Sequence, residues 1–289
     1  EITLEANPDD LSFSYLSALR SFPFNRISLG VQSFDDRELR FLNRRHTAEQ
    51  ALQAIEMARR ADYENISIDL MYGLPGQTSA AWKDSLQCAV STGVPHISAY
   101  HLIYEEGTRL SRMREEGKIM PVDEDTSLRM FEQLMDCLTG HGFLHYEISN
   151  FARPGRLARH NTSYWKNIPY LGIGAAAHSY TEGVRQWNAA DLNGYITGIL
   201  SGMRQTEREV PTPDSRYNDR ILTSLRTMWG VNVQEIGKEF GSARLLYLRT
   251  QAAPYLQSGM LVEEEGYIKV SRKGWFISDR IISDLFFVE

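Results

Sequence analysis

Asn65-Ile-Ser-Ile-Asp69-Leu-Met-Tyr-Gly-Leu-Pro-Gly-Gln-Thr78 is a short β-branched run that reaches a polar residue and then breaks at a Gly/Pro turn. A run of this length bounded by turn residues reads as a buried strand. Two further runs repeat the design: Arg26-Ile-Ser-Leu-Gly-Val-Gln32 before it and His96-Ile-Ser-Ala-Tyr100 after it. Amphipathic helical sequence lies between consecutive runs, so the unit is strand, helix, strand, with right-handed crossovers and parallel pairing. In such sheets and barrels ligands sit at the carboxyl ends of the strands. Gln32, Asp69 and Tyr100 are therefore expected to meet around one ligand.

Outward from these runs, Glu1-Ile-Thr-Leu-Glu5-Ala-Asn-Pro8 alternates like a strand and ends on a turn signal, with Asp9–Leu19 reading as a helix. Asp35-Asp-Arg-Glu38 starts a further helix with acids in its first turn. Thr47-Ala-Glu-Gln50 carries the capping-box pattern ahead of helically spaced Ala51, Ile55 and Ala58. Ser79–Ser91 and Asp125–Gly140 read as crossover helices, and His145–Phe151 as a fourth strand-like run. From about 152 to 212 the pattern loosens into Gly-, Asn- and aromatic-rich sequence that is expected to cap or line a site. Pro211-Thr-Pro213 reads as a linker. Beyond it come three short helices (Ser215–Met228, Val233–Phe240, Leu245–Gln257) and a Leu261–Val270 hairpin turning at Glu265-Gly266. The domain expectation is thus 1–151, 152–212 and 213–289, the last winged-helix-like.

The 289 residues suffice for an α/β body with a smaller domain. A net charge of −6 leaves no electrostatic footprint for nucleic acid. The C-terminal module from Ser215 onward carries ten Lys/Arg against nine Asp/Glu, too neutral for a DNA reader. No apolar run reaches transmembrane length. Cys88 and Cys137 are the only cysteines, which gives neither a disulfide framework nor a CxxC metal site and fits a reducing cytoplasm. The chain opens without Met and already in strand pattern, so the sequence is expected to continue upstream, where any leader or metal motif would lie.

Two constellations carry chemistry. Glu5, Gln32, Arg44, Asp69 and Tyr100 combine carboxylates, an amide, a guanidinium and a phenol, an inventory suited to a zwitterionic, nucleoside-like ligand. By the same residue types Arg44 is equally a solvated helix charge and Asp69 a loop cap. His160-Asn161-Thr-Ser-Tyr164-Trp165 places an imidazole near two aromatics, the needs of an axially ligated porphyrin, although a lone His is more often a satisfied structural residue. Gly73-Leu-Pro-Gly-Gln-Thr78 lacks the spacing and the Lys of a phosphate loop, and reads instead as a tight turn with Thr78 near a helix N-cap.

At these residues a resemblance becomes specific. LEANPD, RISLGVQSF, NRRH, NISIDLMYGLPGQT, HISAYHL, HYEISNFA, HNTSYW and YLGIGAAAHS, in this order over nearly the whole chain, resemble the radical S-adenosylmethionine (SAM) proteins related to oxygen-independent coproporphyrinogen III oxidase. HNTSYW is similar to the signature of the heme chaperone branch. The resemblance implies an α/β fold, a partial (β/α) TIM-like barrel lacking its first two strands, with a helical winged-helix-like C-terminal domain. It implies that Glu5, Gln32, Arg44, Asp69 and Tyr100, with the backbone of Met71, line a SAM pocket. His160 becomes the heme-ligand candidate, grouped with Asn161, Tyr164 and Trp165.

The resemblance also implies a [4Fe-4S] cluster in the full-length protein, held by a CxxxCxxC loop that this sequence does not contain. The stretch in hand is therefore expected to hold no cluster, to have no catalytic residue of its own and to be inactive alone. Its first strand, Ile2–Glu5, is expected to form an edge covered by a neighbouring chain or blunted by disorder. The implied function is binding heme and passing it to acceptor hemoproteins, in the cytoplasm, with a homodimer left open. The alternative is oxidative decarboxylation of coproporphyrinogen III in porphyrin biosynthesis.

Overall fold

The computed structural model describes residues 1–181 and 183–288. The chain divides into two compact units, Glu1–Ala158 and Arg159–Glu289, so the loosely patterned stretch 152–212 is shared between them.

The first unit is built on one six-stranded sheet: β1 (Thr3–Ala6), β2 (Arg26–Gln32), β3 (Ile66–Tyr72), β4 (His96–His101), β5 (Leu144–Glu147) and β6 (Asn150–Ala152), in the order β1-β2-β3-β4-β6-β5. The first four strands pair parallel, as the βα repeat requires. The run at 145–151 is not a single strand. It folds back at Ile148-Ser149 into an antiparallel hairpin, β6 lying beside β4. A parallel neighbour needs a long crossover, whereas an adjacent antiparallel strand needs only a turn. β1 ends the sheet order.

One face of the sheet is apolar: Ile27, Leu29, Ile66, Ile68, Leu70, Ile97 and Ala99 are at most 2 % exposed. Helices α1 (Phe13–Leu19), α2 (Asp36–Phe41), α3 (Ala48–Arg60), α4 (Ser79–Ser91), α5 (Arg109–Glu115) and α6 (Glu124–Gly140) complete this unit. α3 buries a small-residue stripe, Ala51, Ala54, Ile55 and Ala58. α4 and α6 lock together through Trp82, whose Nε1 donates to the Met130 carbonyl at 2.9 Å and whose ring stacks on Tyr72 at 5.3 Å. The side-chain caps are those the residue types favour: Thr47 forms the full capping box on α3 and Thr78 accepts from the Ala81 N–H at 3.1 Å. Each such cap is worth about 1 kcal/mol. The expected Asp9–Leu19 helix is divided: Pro8–Asp10 is a 3-10 turn, and Ser12 caps α1 by accepting from the Tyr15 N–H at 3.2 Å. A Ser this well placed to cap starts a helix rather than continuing one.

The second unit holds α7 (Arg159–Trp165), β7 (His178–Thr181), β8 (Val184–Asn188), α8 (Leu192–Leu200), β9 (Thr206–Glu209), α9 (Pro213–Leu225), β10 (Val231–Asn232), α10 (Val233–Gln257), β11 (Leu261–Glu264), β12 (Tyr267–Val270) and α11 (Ser278–Asp284). Strands β7-β8-β9 form an antiparallel sheet inside the stretch that reads as irregular in sequence. The two helices expected at 233–240 and 245–257 are one kinked α10, with Gly241 at φ 83° between its halves. The β11–β12 hairpin turns at Glu265-Gly266, both at positive φ, and β10 completes its sheet.

Candidate functional site

Strand alternation and register sort the side chains of the first unit onto two faces. Glu5 stands beside Ser28, Ser28 beside Ser67, Asp69 beside Ser98, and Met71 beside Tyr100. All of these share the face opposite the apolar one. β2 carries a bulge: Leu29 pairs with Ile68 and Gln32 with Leu70, three steps against two. Gln32 itself is left-handed, φ 68°, an uncommon conformation for a non-glycine residue.

Gly30 makes the bulge usable. A Cβ there would lie 2.7 Å from Arg44 Nη2 and 3.0 Å from Gln32 Nε2, so a larger residue would push the ends of both side chains off the backbone they now cover. Arg44 reaches in from the loop after α2 and donates through Nη2 to the Gly30 carbonyl at 2.9 Å. Asn7 Oδ1 also borders this spot, at 3.7 Å from the same Cβ position.

Asp69 is the electrostatic centre. Burial pushes its carboxyl up to about 6, a hydrogen bond from Ser98 opposes the rise, the Glu5 charge adds to it, and Arg26 and Arg44 oppose it. The Tyr100 hydroxyl is raised first by burial and then by Asp69, with Ser98, Glu147 and Glu5 also acting on it. Glu5, Asp69 and Tyr100 therefore lie within electrostatic reach of one another, and Gln32 meets Arg44 at Gly30. Arg26 Nε, Arg44 Nε and Asn150 Oδ1 are buried polar atoms without a hydrogen-bond partner. Unused donors and acceptors beside two carboxylates suit a ligand that brings hydroxyls, an ammonium and a carboxylate.

Farther along the same face, Ser67 Oγ and His96 Nδ1 are 2.7 Å apart, and His96 Nε2 and the Tyr146 hydroxyl 2.7 Å apart. Burial drives the His96 imidazole down to about 3, so it stays neutral. Arg26, Gly30, Ser98 and Glu147 were not among the expected site residues. Ser98 was detectable, since it stands two residues before Tyr100 and shares its face.

In the second unit, α7 carries all four residues of the other group. His160 and Tyr164, four apart, share one helical face: Nε2 and the hydroxyl are 2.6 Å apart and the rings meet edge-on at 4.9 Å. Tyr164 in turn meets Tyr170 edge-on at 4.6 Å. Trp165 points elsewhere, since five residues rotate a helix by roughly 140° beyond a full turn. Its ring lies under the Arg226 guanidinium, 5.6 Å from the centroid, and it lines a cavity of about 190 Å³ with Trp229, Ser224 and Tyr267. The helix brings together His160 and Tyr164, and separates Trp165 from them.

Residues 1–89 match the radical SAM superfamily, and residues 212–277 the HemN C-terminal domain. The chain is 34 % identical over 281 residues to the heme chaperone HemW of Lactococcus lactis subsp. lactis, covering 97 % of this chain and 74 % of that protein. The heme chaperone HemW of Bacillus subtilis is 32 % identical with the same coverage, and the mitochondrial radical S-adenosyl methionine domain-containing protein 1 of Bos taurus 31 % identical, covering 99 % and 67 %. In fold, the chain superposes on the radical SAM enzyme coproporphyrinogen III oxidase (HemN) of Escherichia coli with a TM-score of 0.81 at 21 % identity, over 99 % of this chain and 69 % of that one. With relatives this similar over this much of their length, the chain belongs to the HemW heme-chaperone branch of the radical SAM superfamily.

Proposed function

We propose that this protein binds heme through the His160 face of α7 and passes it to acceptor hemoproteins in the cytoplasm, while the first unit holds SAM at the carboxyl ends of its parallel strands. The observation that carries the SAM half is the crowding of Glu5, Gln32, Arg44, Asp69 and Tyr100 onto one sheet face around Gly30 and Asp69. Ionised Asp69 and Glu5 accept from ribose hydroxyls or the ligand ammonium, and Gln32 both donates and accepts. Arg44 forks onto the ligand carboxylate, and Met71 contributes its backbone.

SAM held beside a reduced [4Fe-4S] cluster supplies reductive carbon–sulfur cleavage in this superfamily. The residues present fit SAM and not the cluster: Cys88 and Cys137 sit on α4 and α6, and among the described residues no three His, Cys, Asp or Glu gather to hold a metal.

The heme half rests on an exposed imidazole on a short helix beside two tyrosine rings. The same unit displays large apolar side chains to solvent, among them Leu171 (69 %), Ile173 (82 %) and Leu200 (83 %), a surface suited to a flat apolar cargo. Anaerobic heme titration tests it. The absorbance change of the unmodified protein should shrink in His160→Ala, with affinity down at least about tenfold, the loss of one axial ligand. Equal titration curves would remove His160 from the account.

A further inference from the structure

We infer that Glu38 and Gln77 are positioning residues of the SAM pocket, tying the end of β2, which carries Gln32, to the end of β3, which carries Met71. The inference rests on the pocket proposed above.

The tie is a continuous chain of hydrogen bonds between segments 39 residues apart. Gln77, buried at 7 % exposure, accepts through Oε1 from the Gly73 N–H at 2.8 Å and the Leu74 N–H at 3.4 Å. Its Nε2 donates to Glu38 Oε2 at 3.1 Å. The same carboxylate oxygen accepts from Ser33 Oγ at 2.5 Å, and Ser33 Oγ accepts from the Asp35 N–H at 3.0 Å. Ser33 is 1 % exposed and directly follows Gln32, while Gly73 stands two residues after Met71.

Both tied points need holding. Gln32 and Gly73 are left-handed, at φ 68° and 73°, so each strand end leaves its ladder in a conformation that its own strand does not enforce. Gly73 is also pressed on His101, whose imidazole an added Cβ would strike. An amide bridging a carboxylate to a backbone N–H fixes these two ends against each other at a distance set by one side chain. Burial raises the Glu38 carboxyl and the Asp35 charge adds to the rise, while the bonds from Ser33 and Gln77 and the Arg37 charge oppose it. Neither Glu38 nor Gln77 belongs to the group around Asp69; they act through backbone.

The test uses the full chain, with SAM binding read by equilibrium dialysis and exchange of the Gly73 amide read by NMR. Gln77→Glu keeps the acceptor for Gly73 but sets a carboxylate against Glu38. It should weaken SAM binding roughly tenfold and speed Gly73 exchange by a similar factor. The swapped pair Glu38→Gln/Gln77→Glu restores donor to acceptor and should recover both readouts to within about threefold. Recovery in the swapped pair assigns the loss to the contact between positions 38 and 77 rather than to either side chain alone, and the Gly73 exchange readout locates it at the strand end. Should Gln77→Glu fail to fold, Ser33→Ala removes one donor alone and should weaken binding by about threefold. Unchanged Gly73 exchange in Gln77→Glu, faster exchange with unchanged SAM affinity, or no recovery in the swapped pair overturns the tie. An Asp69→Asn variant that binds SAM normally overturns the pocket instead, because Gly73 exchange does not depend on where SAM binds.

Discussion

The strand-end pocket and the His160 face of α7 are built on opposite plans. In the proposed pocket a β-bulge, two left-handed residues, the close packing over Gly30 and Gly73 and a buried polar chain hold the backbone that carries Gln32, Asp69 and Tyr100. The His160 face is a seven-residue helix whose imidazole is exposed and held by contacts such as the one to Tyr164. A rigid pocket suits a ligand that must be held in one geometry, whereas an exposed, locally satisfied imidazole suits a cargo that must be taken up and released. The contrast predicts that removing the charge at the centre of the first region costs most, and that freeing the imidazole of the second from its tyrosine partner costs least.

The largest expected effect is at Asp69. Asp69→Asn should weaken SAM binding by at least about 30-fold, because a half-buried charged acceptor is lost. The same change should stabilise the fold at pH 7. A carboxyl held above its ordinary value makes the folded chain bind more protons than the unfolded one, so stability falls as pH rises from about 4 to about 6. Removing the charge should return about 3 kcal/mol above that window and nothing below it. Denaturant melts of both proteins at pH 4 and pH 7.5 check the sign.

Gly30→Ala comes next. The new methyl displaces the Arg44 guanidinium and the Gln32 amide, so SAM affinity should drop by about tenfold while the melting temperature moves by only a few degrees. A methyl accepted with no loss of binding would mean that the pocket is as pliable as the α7 face. The smallest effect is Tyr164→Phe. Heme uptake through Nε2 has to displace the tyrosine hydroxyl, so removing that hydroxyl should tighten heme binding by about two- to tenfold. Weaker binding would make the hydroxyl part of the heme site rather than its competitor.

The parts of this fold legible in sequence are those where local chemistry and tertiary need coincide. The β-branched runs pair parallel, the Thr47 capping box closes, Thr78 caps α4, and Glu265-Gly266 turns the hairpin. The sheet β7-β8-β9 was not legible, since its strands bury neither face well: β7 and β8 are mostly half-buried and β9 is exposed throughout, so no alternation marks them. The turn at Ile148-Ser149 is hidden inside a run that looks continuous.

For the proposed site, the residue types at the strand ends pointed to Gln32, Asp69 and Tyr100 as candidates, and the sheet register brings Asp69 and Tyr100 onto one face. What held them did not show. Gly30 matters only because Arg44 folds over it, and the Glu38–Gln77 tie joins segments far apart in the chain. Trp165 illustrates the converse, since six consecutive letters on a helix spread over several faces.

The most direct test of the pocket is the pH dependence of SAM affinity between pH 4.5 and 8, measured on the unmodified protein and on Asp69→Asn. With ionised Asp69 as the binding form in the proposed pocket and its carboxyl pushed up to about 6, affinity should be flat above that value and fall about tenfold per pH unit below it, a dependence absent in the variant. A flat profile for the unmodified protein, or the same slope in both, would contradict the account.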